Sequence, residues 1–204
     1  MKKFWGLSIV ALLLCPTILF GSFASADSTS PIIQPQNIQT RNQLAEYVDN
    51  INNINHTIDQ TVESSSHIAA TITFSQYLSF DELQTYISNY DVELQQIQLR
   101  GIMEDGTRVT IATLTDKGME YPENLMYTQA AEQNFNLVGI TDVYAYISPN
   151  QIDELSNDNL TYLVDTSGND SGNGITAVND ESGATSSSVF PKSLTWELEE
   201  LGLL

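Results

Sequence analysis

The side chains able to do chemistry in this chain are almost all carboxylates. Its 204 residues include 26 Asp and Glu against 7 Lys and Arg, two histidines (His56 and His67) and one cysteine, Cys15. A serine or threonine nucleophile needs a base oriented by a third group. His56 falls in an Asn-rich stretch of helical periodicity and His67 opens an alternating run, and neither lies near a Gly-x-Ser-x-Gly turn. Both read as exposed polar side chains. A structural zinc site wants three or four convergent ligands, which two histidines and no downstream cysteine do not supply. No Gly-rich phosphate loop is present. Residues 165–170 echo a calcium loop, but Asp170 stands where glycine is wanted and no Glu falls at the twelfth position. The neighbouring carboxylates Asp81/Glu82 and Asp153/Glu154 match the preference of helix N-termini for negative charge. Glu199 and Glu200 read as the polar face of a terminal helix, together with Glu197. No catalytic residue, metal ligand or cofactor is assigned. The enzymatic alternative is a carboxylate-based hydrolase of cell-wall or surface polymer, since two carboxylates across a cleft suffice for glycoside hydrolysis.

The clearest address is at the N-terminus. Lys2 and Lys3 precede an apolar run over residues 4–20, and Ala24-Ser25-Ala26 closes it as an A-x-A cleavage signal. This is the layout of a secretory signal peptide cleaved after Ala26, and it predicts a secreted or extracytoplasmic protein. If the segment stays uncleaved it becomes an anchor, and the alternative function is a membrane-anchored extracytoplasmic sensor domain. Cys15 leaves with the signal, so the processed chain has no disulfide. Losing Lys2 and Lys3 takes the net charge from −19 to −21. Phosphate backbones and anionic lipid would repel such a chain. Nucleic acid and, after cleavage, peripheral membrane binding are therefore excluded as expected partners.

The remainder divides by pattern. Residues 27–39 read as a flexible leader. Residues 40–63 carry Leu44, Val48, Ile51, Ile54, Ile58 and Val62 at helical spacing with asparagines opposite, an amphipathic helix that needs a surface to hold it. The domain spans 64–166. Residues 67–74 alternate as a strand. Ser79 and Glu82 form a capping box ahead of a helical face made by Phe80, Leu83, Ile87 and Tyr90. Residues 92–103 are strand-like, with a phase slip between Leu94 and Ile97 that predicts a bulge. Asp105-Gly106 signals a hairpin, residues 108–114 return as a strand, and Pro122 opens a helix to about Phe135. Residues 141–147 form the next strand, Ser148-Pro149 starts a second helix, and residues 160–164 close the domain. Residues 167–188 are a Ser/Gly/Asn/Asp linker expected to be disordered. Residues 189–204 form a short amphipathic helix.

Without the hairpin strand and the helix after it, the order is βαββαβ. The expected fold is α+β, a ferredoxin-like domain with an inserted hairpin and helix, preceded by an amphipathic helix and followed by a disordered tail. The run Val143-Tyr144-Ala145-Tyr146-Ile147-Ser148-Pro149-Asn150-Gln151-Ile152-Asp153-Glu154-Leu155-Ser156-Asn157-Asp158, then Leu160-Thr161-Tyr162-Leu163-Val164-Asp165, resembles the propeptide/inhibitor module of subtilisin-type serine proteases. The resemblance covers about half of residues 67–165, departs by the insertion over roughly 107–137, and lacks a protease domain after Asp165. It implies an exported, non-enzymatic protein-binding domain acting as an inhibitor or chaperone of an extracellular serine protease, with Thr166 and Ser167 at the segment that enters the protease cleft. Residues 73–83 also resemble the opening of extracytoplasmic sensor domains of some bacterial anti-sigma factors.

Two groups complete the expected binding set. Tyr144 and Tyr146 share one strand face, which is either a sheet face covered by helices or an aromatic recognition face. Leu194, Leu198 and Leu201 line one side of the last helix with Trp196 off it. Such a short helix must dock, and its long tether favours a partner's groove over its own domain.

Overall fold

A computed structural model describes residues 35–115, 123–169 and 190–204. The signal segment, most of the leader, residues 116–122 and most of the linker lie outside the described residues.

The described residues form ten helices and strands. Helix α1 (Arg41–Thr61) is followed by β1 (Ile68–Leu78), α2 (Phe80–Asn89), β2 (Val92–Met103) and β3 (Arg108–Leu114). Then come α3 (Glu123–Glu132), β4 (Phe135–Ile147), α4 (Ile152–Ser156), β5 (Thr161–Asp165) and α5 (Thr195–Glu200). The class is α+β. The strands make one antiparallel sheet in the order β3-β2-β4-β1-β5.

Helix starts follow from local chemistry. The Thr40 hydroxyl caps α1 by accepting from the Gln43 amide at 3.2 Å. At α2 both arms of the capping box form: the Glu82 amide donates to Ser79 Oγ, and the Ser79 amide donates to the Glu82 carboxylate at 2.7 Å. The expected Ser148 cap does not form. Its hydroxyl instead donates to the Ser64 carbonyl at 2.6 Å, and Pro149 opens a 3-10 turn that leads into α4.

The alternation seen in the sequence becomes two faces. Ile68, Ala70, Ile72 and Phe74 of β1, Ile97 and Leu99 of β2, and Val143, Ala145 and Ile147 of β4 face α2, α4 and the end of α1 as the main core. Burying each Ile, Leu, Val or Phe among them contributes roughly 1.5–3 kcal/mol, and each Ala less. The register shift between Leu94 and Gln96 falls where the phase slip predicts a bulge.

Several boundaries differ from expectation. Strand β4 begins at Phe135, six residues earlier than the alternation shows. Helix α3 stops at Glu132 and Asn134 takes the left-handed conformation (φ 57°), a position Asn tolerates better than most residues. The register then shifts on either side of Leu99-Arg100, where Gly139 lies close to β1; a Cβ there would sit 2.8 Å from the Leu78 carbonyl oxygen. Those breaks hide the first half of the strand from a period-two reading. The leader is ordered at its end, where Pro35–Asn37 form a 3-10 turn and Ile38 is buried. The linker likewise starts later than 167. Ser167–Asn169 form a 3-10 turn, and Asn169 is buried because its side chain bonds both the amide and the carbonyl of Ala69.

Candidate functional site

The second face of the sheet is where polar and aromatic groups collect. Its rows run Gln96–Tyr144–Thr71–Asp165 and Gln98–Asp142–Thr73–Leu163 across β2, β4, β1 and β5. The C-terminal segment lies over them. Phe190 stacks on Tyr144 at 5.5 Å between centroids and tilts against Tyr146. The Thr71 hydroxyl donates to the Pro191 carbonyl at 2.6 Å, and the Thr195 hydroxyl donates to Asp142 at 2.9 Å. Leu194 and Leu198 complete a second core with Ile38, Leu44, Tyr47, Ile51 and Leu163.

Charge is unusually deep here. Arg100 is 2% exposed and donates from Nε to Glu199 at 2.6 Å and from an Nη to Thr110 at 2.6 Å. Arg108 reaches the other Glu199 oxygen at 2.9 Å and also pairs with Glu200. Tyr77 donates its hydroxyl to Glu199 at 3.0 Å. Both guanidinium groups lie against the Trp196 ring, at 5.2 and 4.4 Å from its centroid. Two cations and a phenol therefore converge on one carboxylate, the kind of hydrogen-bonded setting in which a buried ion pair is tolerated.

Two carboxyl groups beneath the segment are not matched by cations in this way. Asp142 is fully buried, and burial pushes its pKa up to about 6 against the hydrogen bonds from Thr141, Ser193 and Thr195 and the charge of Arg100 that pull it down. Burial also raises the Asp165 carboxyl, offset in part by the Tyr47 and Ser167 hydrogen bonds. The Tyr47 phenol is itself pushed up, first by burial and then by Asp165, so it stays protonated and donates. Oδ1 of Asp142 and Oε2 of Glu197 are buried without a hydrogen-bond partner among the described residues.

This geometry sorts the expected site residues. Tyr144 and Tyr146 lie under Phe190 as part of a covered face. Thr166 is buried and donates to Asn55 at 2.5 Å, while the Ser167 amide donates to Asp165. The two are folded into the domain and do not project as a free tail. Leu194 and Leu198 are buried and Leu201 packs beside them, so the last helix docks on its own domain rather than waiting for a partner. Of the residues expected on its wet face, Glu197 is buried and the Glu199 side chain is only 3% exposed. Trp196 alone of the set is exposed, at 45%. His56 is exposed and bonded to Gln60, and His67 is half-buried.

What remains open lies around β3. Among the described residues no strand pairs outside it. It runs seven residues in unbroken register with β2. The amide of Met103 donates to the Thr107 carbonyl and that of Thr115 donates to Gln95. The odd-numbered residues therefore bond inward to β2, and alternation aims the backbone groups of Arg108, Thr110, Ala112 and Leu114 outward. Exposed large apolar side chains border this edge: Ile102 and Met103 at the hairpin, Leu114 at 78%, and Trp196 over Arg108. In the sequence this edge shows only as the run Arg-Val-Thr-Ile-Ala-Thr-Leu, with one charge and no proline. A separate cavity of about 250 Å³ lies among Tyr77, Phe80, Glu82, Leu99, Tyr127 and Val138. Its one carboxylate, Glu82, is spent on the capping box. Among the described residues no group of three or more His, Cys, Asp or Glu is placed to hold a metal ion, and no helix is long and apolar enough to cross a membrane. No protein-family model, curated protein or solved structure matches this chain.

Proposed function

We propose that the chain is an exported, non-catalytic protein-binding domain whose recognition surface is the outer edge of β3 with its apolar flank, and that its fold is the ferredoxin-like plan with β3 added at one edge. With β3 set aside the order is β2-β4-β1-β5. The strand returning after the hairpin insertion lies between the two strands joined by α2, as a split β-α-β arrangement requires. The export part rests on the first 26 residues, and N-terminal sequencing that finds Asp27 first supports it.

The observation that carries the binding reading is a β-branched edge in unbroken register with β2, unpaired among the described residues and flanked by Leu114 and Trp196. Natural sheets usually blunt such an edge with charge, proline or a bulge, and β3 has none of these along its middle. Strand addition supplies main-chain hydrogen bonds for affinity and side-chain pockets for specificity. A photo-crosslinking residue placed at Ala112 or Leu114 of the exported protein should form protein adducts, while one at exposed Gln76 should not. Equal yields at the two places, or none at β3, would remove the reading.

The narrower form, inhibition of an extracellular subtilisin-type protease, is supported by the resemblance of 143–165. The burial of Thr166 and Asn169 requires that such inhibition use another surface than that tail. Stoichiometric addition to a subtilisin-type protease decides it: slowed turnover supports inhibition, and rapid digestion of the domain without slowing leaves generic binding.

A further inference from the structure

We infer that the occupant of the β3 edge is a second copy of the same chain, paired antiparallel through β3 about a two-fold axis at Ile111. This rests on the reading of β3 as the recognition surface and names its partner.

The strand is self-complementary in one register. Centring the pair on Ile111 sets Arg108 opposite Leu114 of the other copy and Thr110 opposite Ala112. These are the four residues whose amides and carbonyls aim outward, so each facing pair can exchange two bonds and the seven-residue overlap gives about eight. Any shift of two residues keeps the outward groups matched but loses overlap. A shift of one residue sets outward groups against inward ones and reverses every side chain.

The side chains agree with that register. Val109 and Ile111 lie on the core side, since a Cβ on Gly101 would touch Val109 and Ile111 packs on the main core. Ile111 is only half-buried, and the two-fold axis sets the two copies of it together, extending each core across the joint. On the other face, Arg108 lies on the same side as Trp196, with its guanidinium 4.4 Å from the ring centroid. Leu114 is the most exposed of the large apolar side chains among the described residues, at 78%. Pairing brings it to the Arg108 stem and the Trp196 ring of the other copy, an apolar-and-cationic shelf that is otherwise 45% exposed at the tryptophan. The single charge of the strand meets a leucine and not its own copy, so no like-charge pair forms across the joint. The opposing term is the net charge of each copy, −21 once Lys2 and Lys3 have left with the signal segment, which salt screens.

Sedimentation of the exported protein across two decades of concentration tests this, at low and at high salt. The expected result is a mass that doubles with concentration, at lower concentration when salt is high. Ala112→Pro removes one outward amide while leaving the β2 ladder intact, as edge positions allow; Leu114→Lys puts a charge against Arg108 of the other copy. Both should sediment as monomers, with unchanged circular dichroism showing that they fold. A wild-type protein that stays monomeric in high salt overturns the inference, as does dimerisation of Leu114→Lys at the wild-type concentration. If the protein is monomeric but crosslinks from Ala112 carry a different mass, the second copy is the wrong occupant and the recognition surface stands. Monomer without adducts removes both.

Discussion

Replacing Asp142 by Asn should change stability by an amount that depends on pH. Asp142 has no exposure, and its folded pKa is pushed up to about 6 from 3.8. A raised folded pKa means that the unfolded chain ionises first. The group's full contribution is therefore present below pH 3.8 and is lost as pH rises through 6. At pH 7.5 the wild type carries an ionisation penalty of about 3 kcal/mol, taking about 1.36 kcal/mol per tenfold change in proton affinity. About 2 kcal/mol of this develops between about pH 4.5 and 7.5. The Asn side chain cannot ionise. It keeps an acceptor for Thr195 but sets an amide hydrogen where Oδ1 has no partner, a cost of about 1–3 kcal/mol that does not vary with pH. The quantity to read is the wild-type-minus-variant difference in urea unfolding free energy at about pH 3 and about pH 7.5. It should move by about 3 kcal/mol in favour of the Asp142→Asn variant as pH rises. The same difference at both pH values would refute the reading that residues 190–204 seal Asp142 from water.

Three further outcomes follow from the same packing. Glu199→Ala leaves Arg100 buried without its anion and should cost about 3 kcal/mol or more in urea unfolding, with residues 190–204 becoming sensitive to protease. Deleting residues 190–204 exposes Leu163 and Tyr47 and removes Leu194 and Leu198, so the melting temperature should fall clearly, by the equivalent of about 4 kcal/mol; an unchanged midpoint would show that the helix is not part of the core. Ser79→Ala removes the capping-box acceptor and should cost about 1 kcal/mol in the same assay.

Much of the strand and helix layout was legible because it depends on spacing alone. The 67–74 alternation, the Ser79/Glu82 box and the Leu94 slip each state their structure within a dozen residues. The second face was not legible, because its meaning lies in pairs far apart in sequence. Glu199 reads as a wet helix residue until Arg100 and Arg108 are seen 99 and 91 positions away across the sheet. Thr166 and Asn169 look like linker because Ser, Gly and Asn mark linkers, yet Asn169 satisfies the backbone of Ala69 and Thr166 donates to the side-chain oxygen of Asn55. Asn55 reads as part of a solvated asparagine face, but it donates to the Val164 carbonyl at the sheet's other edge. That bond lets α1 cover β5, while β3, at the opposite end, has no such cover among the described residues.

Amide hydrogen exchange along β3 tests the recognition surface most directly. In the isolated monomer the outward amides of Arg108, Thr110, Ala112 and Leu114 should exchange fast, while those of Val109, Ile111 and Thr113 are held by β2. The four fast amides should become protected, in that alternating pattern, as the partner binds the edge and, for a second copy, as protein concentration rises. Fast exchange at these four positions at every concentration, and in the presence of the exported protein's natural culture fluid, would contradict it.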